Sequence, residues 1–305
     1  AEEFLRRILF MSIADVLDEY FESDEVKASF ATSAVAGTMA GPQTPGTAFV
    51  LGHHTLGDIG GMKGAWGWPR GGMGAISEAV AAAARHYGAV VHTGAEVRRI
   101  LVRDGRAIGV ELSDGTKIES RVVLSNADPR RTFLRLVDEA HLPSDFVRAV
   151  GHIRFESSSF KLNLALRELP DFVAISGTAP QPHHRAIIDL APSMDYLERA
   201  YDDAKRGVPS REPFLEFVIQ SANDPTVAPP GMHTLTISAK FAPFDLRDGS
   251  WDREAERFAE CILDVLEGYA PNIRRAILAR QWLSPLDMER EYGLTRGDVF
   301  HGAIL

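Results

Sequence analysis

The sequence predicts a mixed α/β fold in two parts, and three observations lead there. Apolar residues recur at helical spacing over residues 75–87. Two Asp-Gly pairs punctuate alternating runs between residues 96 and 119. Beyond Pro129, strand-like and helix-like runs alternate without glycine-rich turns. The first two observations describe a helix that leads into a three-stranded β-meander. The third describes an α+β region with a mixed or antiparallel sheet, so a domain boundary is expected near residues 128–130.

The elements follow in chain order. Phe4, Ile8 and Met11 fall near one helical face, and Ile13, Val16, Leu17 and Tyr20 continue at helical spacing. Residues 24–36 read as a further helix that ends at Gly37. Between 37 and 74 glycine is frequent and periodicity weak, which predicts backbone-determined loop, a kind of segment that is often functional at this length. Ile76, Ala79, Val80, Ala83, Ala84 and Tyr87 then mark one face of a helix, with Gly88 placed to end it. Ala89-Val90-Val91 reads as a short buried strand. The meander comprises residues 96–103, 106–112 and 116–119, with turns at Asp104-Gly105 and Asp114-Gly115. Arg121-Val122-Val123-Leu124 is a second short apolar strand. Further on, residues 160–166, 213–219 and 233–241 read as strands. Phe258, Cys261, Ile262, Val265, Leu266 and Tyr269 define a helix for which Ser250 is the expected cap.

Bulk composition removes several function classes. With 45% hydrophobic and 25% charged residues, the 305-residue chain is expected to be globular, with about two domains. A net charge of -9 without any Lys/Arg run argues against a nucleic-acid partner, whose phosphates demand a basic face. The single cysteine, Cys261, excludes an internal disulfide and a cysteine-based zinc site, and its place on an apolar helical stripe reads as core. No apolar run approaches the roughly 18 to 20 residues that cross a bilayer. No secretory pattern opens the chain, so the cytoplasm is the expected compartment, a lost organelle-targeting leader being compatible with the same sequence. The histidine pairs His53-His54 and His183-His184 are not expected to chelate a metal, because neighbours on a strand face opposite ways. No Gly-x-Ser-x-Gly elbow is present.

The segment richest in chemical meaning is Gly67-Trp68-Pro69-Arg70-Gly71-Gly72-Met73-Gly74, directly before a helix. Glycines there let a ligand approach exposed backbone N–H groups at the positive end of the helix dipole. A tight turn before a helix accounts for the same residues equally simply. Met62, Trp66, Trp68 and Met73 cluster around it, as walls of an apolar cavity or as filling under a long loop.

The order of glycine-rich loop, helix, short strand, meander and short strand ending in Ser125-Asn126-Ala127-Asp128-Pro129 resembles the phytoene-desaturase-like flavoproteins. Further segments, among them Gly61-Met62-Lys63-Gly64-Ala65-Trp66-Gly67 and Asn223-Asp224-Pro225-Thr226, resemble one branch of that class. The resemblance implies a partial FAD/NAD(P)-binding domain of glutathione-reductase type plus an α+β substrate domain. It assigns residues 1–60 to the helical part of the substrate domain, 61–128 to the cofactor domain, 129–283 to the substrate domain and 284–305 to a return towards the cofactor domain.

The resemblance also implies roles. Pro69, Arg70, Gly71, Gly72 and Met73 would lie against the flavin ring, Val97 would meet the adenine through its backbone, and Asn126 and Ala127 would sit near the phosphates or ribose. The implied activity is hydride transfer to FAD from a largely apolar small molecule in a dehydrogenase, desaturase or isomerase, with Met62, Trp66 and Trp68 around the substrate. No side chain stands out as a catalytic acid or base. The class also carries an N-terminal Gly-x-Gly-x-x-Gly strand and a C-terminal glycine-rich segment that do not occur here, so the chain is expected to be a fragment or shortened relative, inactive and weak in FAD binding alone. Two alternatives stay open: a cofactor-free interaction module that keeps the fold, and an amine-oxidase-like flavoprotein with a polar amine substrate. A homo-oligomer is compatible with every reading.

Overall fold

The computed structural model describes residues 2–156 and 158–304, apart from the side chain of Phe4. The helical opening is broken in two: α1 (Glu2–Phe10) and α2 (Ile13–Asp18) are separated at Ser12, whose Oγ accepts from the Asp15 N–H and caps α2. Ser23 caps α3 (Asp24–Val35) in the same way, and Gly37 follows with φ of 73°. The glycine-rich stretch hides one more helix, α4 (Thr47–His54), which enters from Gly46 at φ 90°. A minimal hairpin, β1 (Asp58–Ile59) with β2 (Met62–Lys63), leads to α5 (Gly74–His86).

The meander forms as an antiparallel sheet in the order β3 (Val97–Arg103), β4 (Arg106–Leu112), β5 (Lys117–Glu119). Asp104 and Gly105 take φ of 48° and 73°, the left-handed pair that a two-residue hairpin requires. Two expected strands do not form. Residues 89–91 and 121–124 carry no strand pairing, and Val90, Val122 and Leu124 are exposed. An apolar run becomes a strand only when a neighbour satisfies its backbone groups, and no described strand pairs with these two. For the same reason α5 buries none of its residues, and its apolar Ile76 and Val80 face outward.

After α6 (Pro129–Arg131) and α7 (Ser144–His152), the chain alternates between a sheet and its covering helices. The strands are β6 (Ser159–Leu166), β7 (Ile187–Leu190), β8 (Phe214–Val218), β9 (His233–Lys240) and β10 (Ile277–Leu283). The helices are α8 (Met194–Lys205), α9 (Gln220–Asn223), α10 (Trp251–Tyr269), α11 (Ile273–Ala276) and α12 (Pro285–Tyr292). The sheet runs β10-β6-β9-β8-β7 and is antiparallel throughout, which resolves the expected mixed or antiparallel alternative.

Alternation along the strands gives this sheet two different faces. On one, Phe160, Leu162, Leu164, Phe217, Leu235 and Ile237 pack against Trp251, Phe258, Ile262 and Leu266 of α10. Cys261 is partly buried beside this core and donates to the Arg211 carbonyl at 3.3 Å, while burial pushes its thiol up. Ser250 does occupy the N-cap of α10, yet its side chain makes no capping bond. The opposite face is covered only in part. There α2, α3 and α8 close a second core over Phe214 and Phe241, and the remaining floor lies open to a cavity.

Candidate functional site

The cavity has a volume of about 670 Å³ and lies between the polar face of the five-stranded sheet and the segments α3, α4 and 292–300. Its size falls within the range of small-molecule pockets. Trp66 and Phe300 stand in its wall with His54, whose ring stacks on Trp66 at a centroid distance of 6.1 Å and an angle of 10°. Leu283, Met288, Leu294 and Val299 extend that wall with aliphatic surface.

The floor is polar, and strand register makes it a row. Asp189 of β7 lies directly opposite Glu216 of β8; Glu216 opposes Ser238 of β9; Ser238 opposes Lys161 of β6; Lys161 opposes Leu283 of β10. All five line the cavity, as does Lys240, two residues along β9 from Ser238. Like charges directly opposite each other destabilise a sheet. Burial pushes the Asp189 carboxyl up to about 6, the facing Glu216 adds to the rise, and Thr32, whose hydroxyl donates at 2.9 Å, opposes it together with Lys240. Asp189 is open to cavity space while protein surrounds it. Lys240 is 3% exposed, burial holds its amine below the usual lysine range, and its Nζ donates to Ser238 Oγ at 3.0 Å. Among the described residues, Glu216 and Lys161 make no ion pair and no side-chain hydrogen bond.

This electrostatics has a measurable consequence. The folded carboxyl of Asp189 titrates near 6 against a model-peptide value of 3.8, so its ionisation opposes folding. The penalty is absent below about pH 4, grows as pH rises, and is complete above the folded value. Replacing Asp189→Asn is therefore expected to raise stability by about 1 kcal/mol near pH 8, discounted for water in the cavity, and by nothing near pH 3.5. Urea unfolding of both proteins at the two pH values checks it.

The residues expected to hold a cofactor fall in two further places. Gly72 and Met73 line a more open groove of about 560 Å³ with Asn163, Thr236 and Gln281, which continues the polar face of the sheet beside the main cavity. Gly71 and Gly72 take φ of 83° and 82°, and the bend at Arg70-Gly71 is exposed. The Gly71 N–H donates to Asp224 Oδ2 at 2.5 Å, so two distant segments with the same resemblance meet here. Pro69 and Arg70 lie beside this groove in sequence without lining it.

Val97, Asn126 and Ala127 come together in a third cavity of about 490 Å³, with Ile100, Arg131 and His301. Val97 sits on the edge strand β3, whose outer backbone carries no strand partner among the described residues. Asp128 fixes the floor of this cavity: Oδ1 accepts from the Arg131 N–H at 2.9 Å and Oδ2 from the buried Thr295 hydroxyl at 2.6 Å. Tyr292 and Leu294 belong to the walls of both the first and the third cavity. A backbone edge without a strand partner among the described residues, an exposed glycine bend and two adjoining cavities are the features of this face that could hold a long cofactor.

Of the expected cavity residues, Trp66 lines the main cavity, whereas Met62 and Trp68 are 66% and 41% exposed and line none of these three. Sequence reasoning missed Lys161, Asp189, Glu216, Ser238 and Lys240. The available signal was polar residues alternating with apolar ones in several strands, as in Phe160-Lys161-Leu162-Asn163-Leu164 and Ile237-Ser238-Ala239-Lys240. That pattern marks a sheet with one face off the core.

Among known proteins, a family model described as flavin containing amine oxidoreductase matches residues 12–219. Pyridine nucleotide-disulfide oxidoreductase domain-containing protein 2 of Rattus norvegicus is 41% identical over 304 residues, covering 97% of this chain and 52% of the relative. A phytoene desaturase (lycopene-forming) of Paracoccus sp. is 26% identical over 239 residues, covering 78% of this chain and 45% of the relative. The chain thus spans about half the length of these curated relatives. Among solved structures, an oxidoreductase from Methanosarcina mazei aligns with a TM-score of 0.56 at 20% identity, over 90% of this chain and 56% of the other. A redesigned putrescine oxidase gives 0.52 at 14% identity, over 91% and 54%. These structures share the fold. No helix among the described residues is long and apolar enough to cross a membrane.

Proposed function

Because this chain belongs to the flavin containing amine oxidoreductase family, we propose that it forms the substrate-binding part of an FAD-dependent oxidoreductase of dehydrogenase, desaturase or isomerase type. The carrying observation is the cavity of about 670 Å³, with aromatic and aliphatic walls, on the same sheet face as the groove behind the Gly71-Gly72 bend. Its walls suit a small molecule with a largely apolar body.

When bound, FAD supplies the hydride acceptor. This chain's residues do the rest. The bend Pro69-Arg70-Gly71-Gly72-Met73 gives the ring an approachable backbone, held in place by the Gly71 N–H bond to Asp224. The cavity at Val97, Asn126 and Ala127 takes the adenosine half, and Trp66 with Phe300 excludes water from the substrate. Residues 61–128 then form the cofactor side, 129–283 the substrate side, 1–60 its helical cover, and 284–305 a return towards the cofactor. The uncovered Ile76, Val80, Val90, Val122 and Leu124 support the view that this stretch alone holds FAD weakly. They equally suit a cofactor-free module that docks a partner, and one experiment separates the two.

Protein produced at the full length of the curated relatives is expected to purify with visible flavin absorbance or to acquire it from added FAD. Gly71→Val, which forces a branched side chain into φ of 83°, is expected to weaken FAD binding about tenfold or more in a fluorescence-quenching titration. Full-length protein that neither carries flavin nor takes it up overturns the reading.

A further inference from the structure

Two successive glycines at positive φ make the Gly71-Gly72 bend costly in entropy to hold in one conformation. Little else steadies it, because α5 directly after it buries none of its residues. Inside the bend the Gly72 N–H closes a turn on the Pro69 carbonyl at 3.1 Å. Among the described residues, the Gly71 bond to Asp224 is the one hydrogen bond that ties residues 68–73 to a distant segment. Asp224 follows α9, which begins just beyond β8, and opens the turn Pro225–Val227. Its Oδ1 accepts from the Thr226 N–H at 3.0 Å and the Thr226 hydroxyl at 2.7 Å, which leaves Oδ2 to Gly71. Bonds from the Thr226 hydroxyl and the Gly71 N–H hold the carboxyl below the usual carboxylate range. The same turn backs the second glycine, since a Cβ on Gly72 would stand 3.8 Å from Val227. Asn223 reaches elsewhere: its Nδ2 donates at 3.0 Å to the Arg185 carbonyl, just ahead of β7. Residues 223–227 thus join the bend to β7 and β8, two strands that floor the first cavity.

We propose that Asp224 is a positioning residue for the cofactor: its carboxylate keeps the Arg70-Gly71-Gly72 backbone in the conformation that receives the flavin ring, and registers that backbone on the strands of the substrate cavity. Asp224 acts through the bend. A bend that samples other conformations offers a competent site only part of the time, and apparent affinity falls by that fraction. A hydrogen bond to a charged group shifts such an equilibrium by roughly an order of magnitude or more. The turn 224–227 is therefore more than a connection between α9 and β9: it sets how much of the time the cofactor face is ready.

The inference rests on the bend being the flavin site, so one of its two readouts needs no flavin. Trypsin cleaves after the exposed Arg70 as the bend opens, and the exposed Arg121, outside any strand, is the internal reference. In this chain Asp224→Ala is expected to speed cleavage after Arg70 about fivefold relative to cleavage after Arg121. Asp224→Ser keeps a short acceptor for the Thr226 N–H but does not reach Gly71. It is expected to match Asp224→Ala with an unchanged urea midpoint, and it carries the test should the alanine variant not fold. In the full-length protein both variants are expected to weaken FAD binding about three- to fivefold in a fluorescence-quenching titration. Asp224→Asn keeps an amide oxygen for the Gly71 N–H and is expected to restore most of both effects. Unchanged cleavage after Arg70, a loosened bend with unaltered FAD affinity, Asp224→Ser behaving as the parent protein, or no rescue by Asp224→Asn overturns the proposal. Full-length protein that takes up no flavin sinks the flavin reading and this proposal together, whereas the other adverse results sink the proposal alone.

Discussion

Phe160→Ala is expected to lower the unfolding free energy by about 3–5 kcal/mol. Phe160 is fully buried on β6, with ring centroids 5.1 Å from Phe258 and 5.6 Å from Trp251. Truncation removes the transfer free energy of the ring and leaves a hole that a sheet and a long helix cannot both move to fill. Its neighbour Lys161 provides the contrast. That side chain faces the other way, into the cavity, so Lys161→Ala is expected to change stability by no more than about 0.5 kcal/mol. Urea denaturation of the two variants measures both values. A similar loss for both would mean that the two faces of the sheet are not distinguished as described.

Asp128→Ala is expected to cost about 2–4 kcal/mol and to weaken cofactor binding in the full-length protein. The carboxylate is 3% exposed and does two things at once: it caps the turn at Pro129–Arg131 and accepts from the buried Thr295 hydroxyl. Losing a cap costs about 1 kcal/mol, and leaving a buried hydroxyl without a partner costs about 1–3 kcal/mol more. These bonds also pin residues 125–128 to the segment at Leu294 across the cavity shared by Val97, Asn126 and Ala127. Asp128→Asn keeps an acceptor on the same stem and is expected to lose less than half as much. Thermal unfolding and FAD titration of the pair decide it, since equal losses would show that Asp128 acts through its charge and not through these bonds.

Local signals carried much of the architecture. The Asp-Gly turns specify their hairpins because the left-handed backbone they need is available to those two residues and few others. The helix at 74–86 follows from spacing alone, and the strands at 160–166, 214–218 and 233–240 were close to their observed limits. Where the backbone demanded a partner, the sequence misled. Residues 89–91 and 121–124 have the composition of strands and no strand partner among the described residues. The helix at 47–54 was hidden because glycine lowers helix propensity without forbidding a helix that tertiary packing supports.

The sequence by itself determined which residues alternate and turn, and through its motifs the family and the flavin chemistry to expect. Only the tertiary structure decided that Asp189, Glu216, Ser238, Lys161 and Leu283, drawn from five strands, stand in one row beneath Trp66. The physical reason is that period-two alternation says a side chain leaves the core face, whereas what it meets there depends on strand order and register. Those are set by pairings between residues far apart in the chain, which no local window contains.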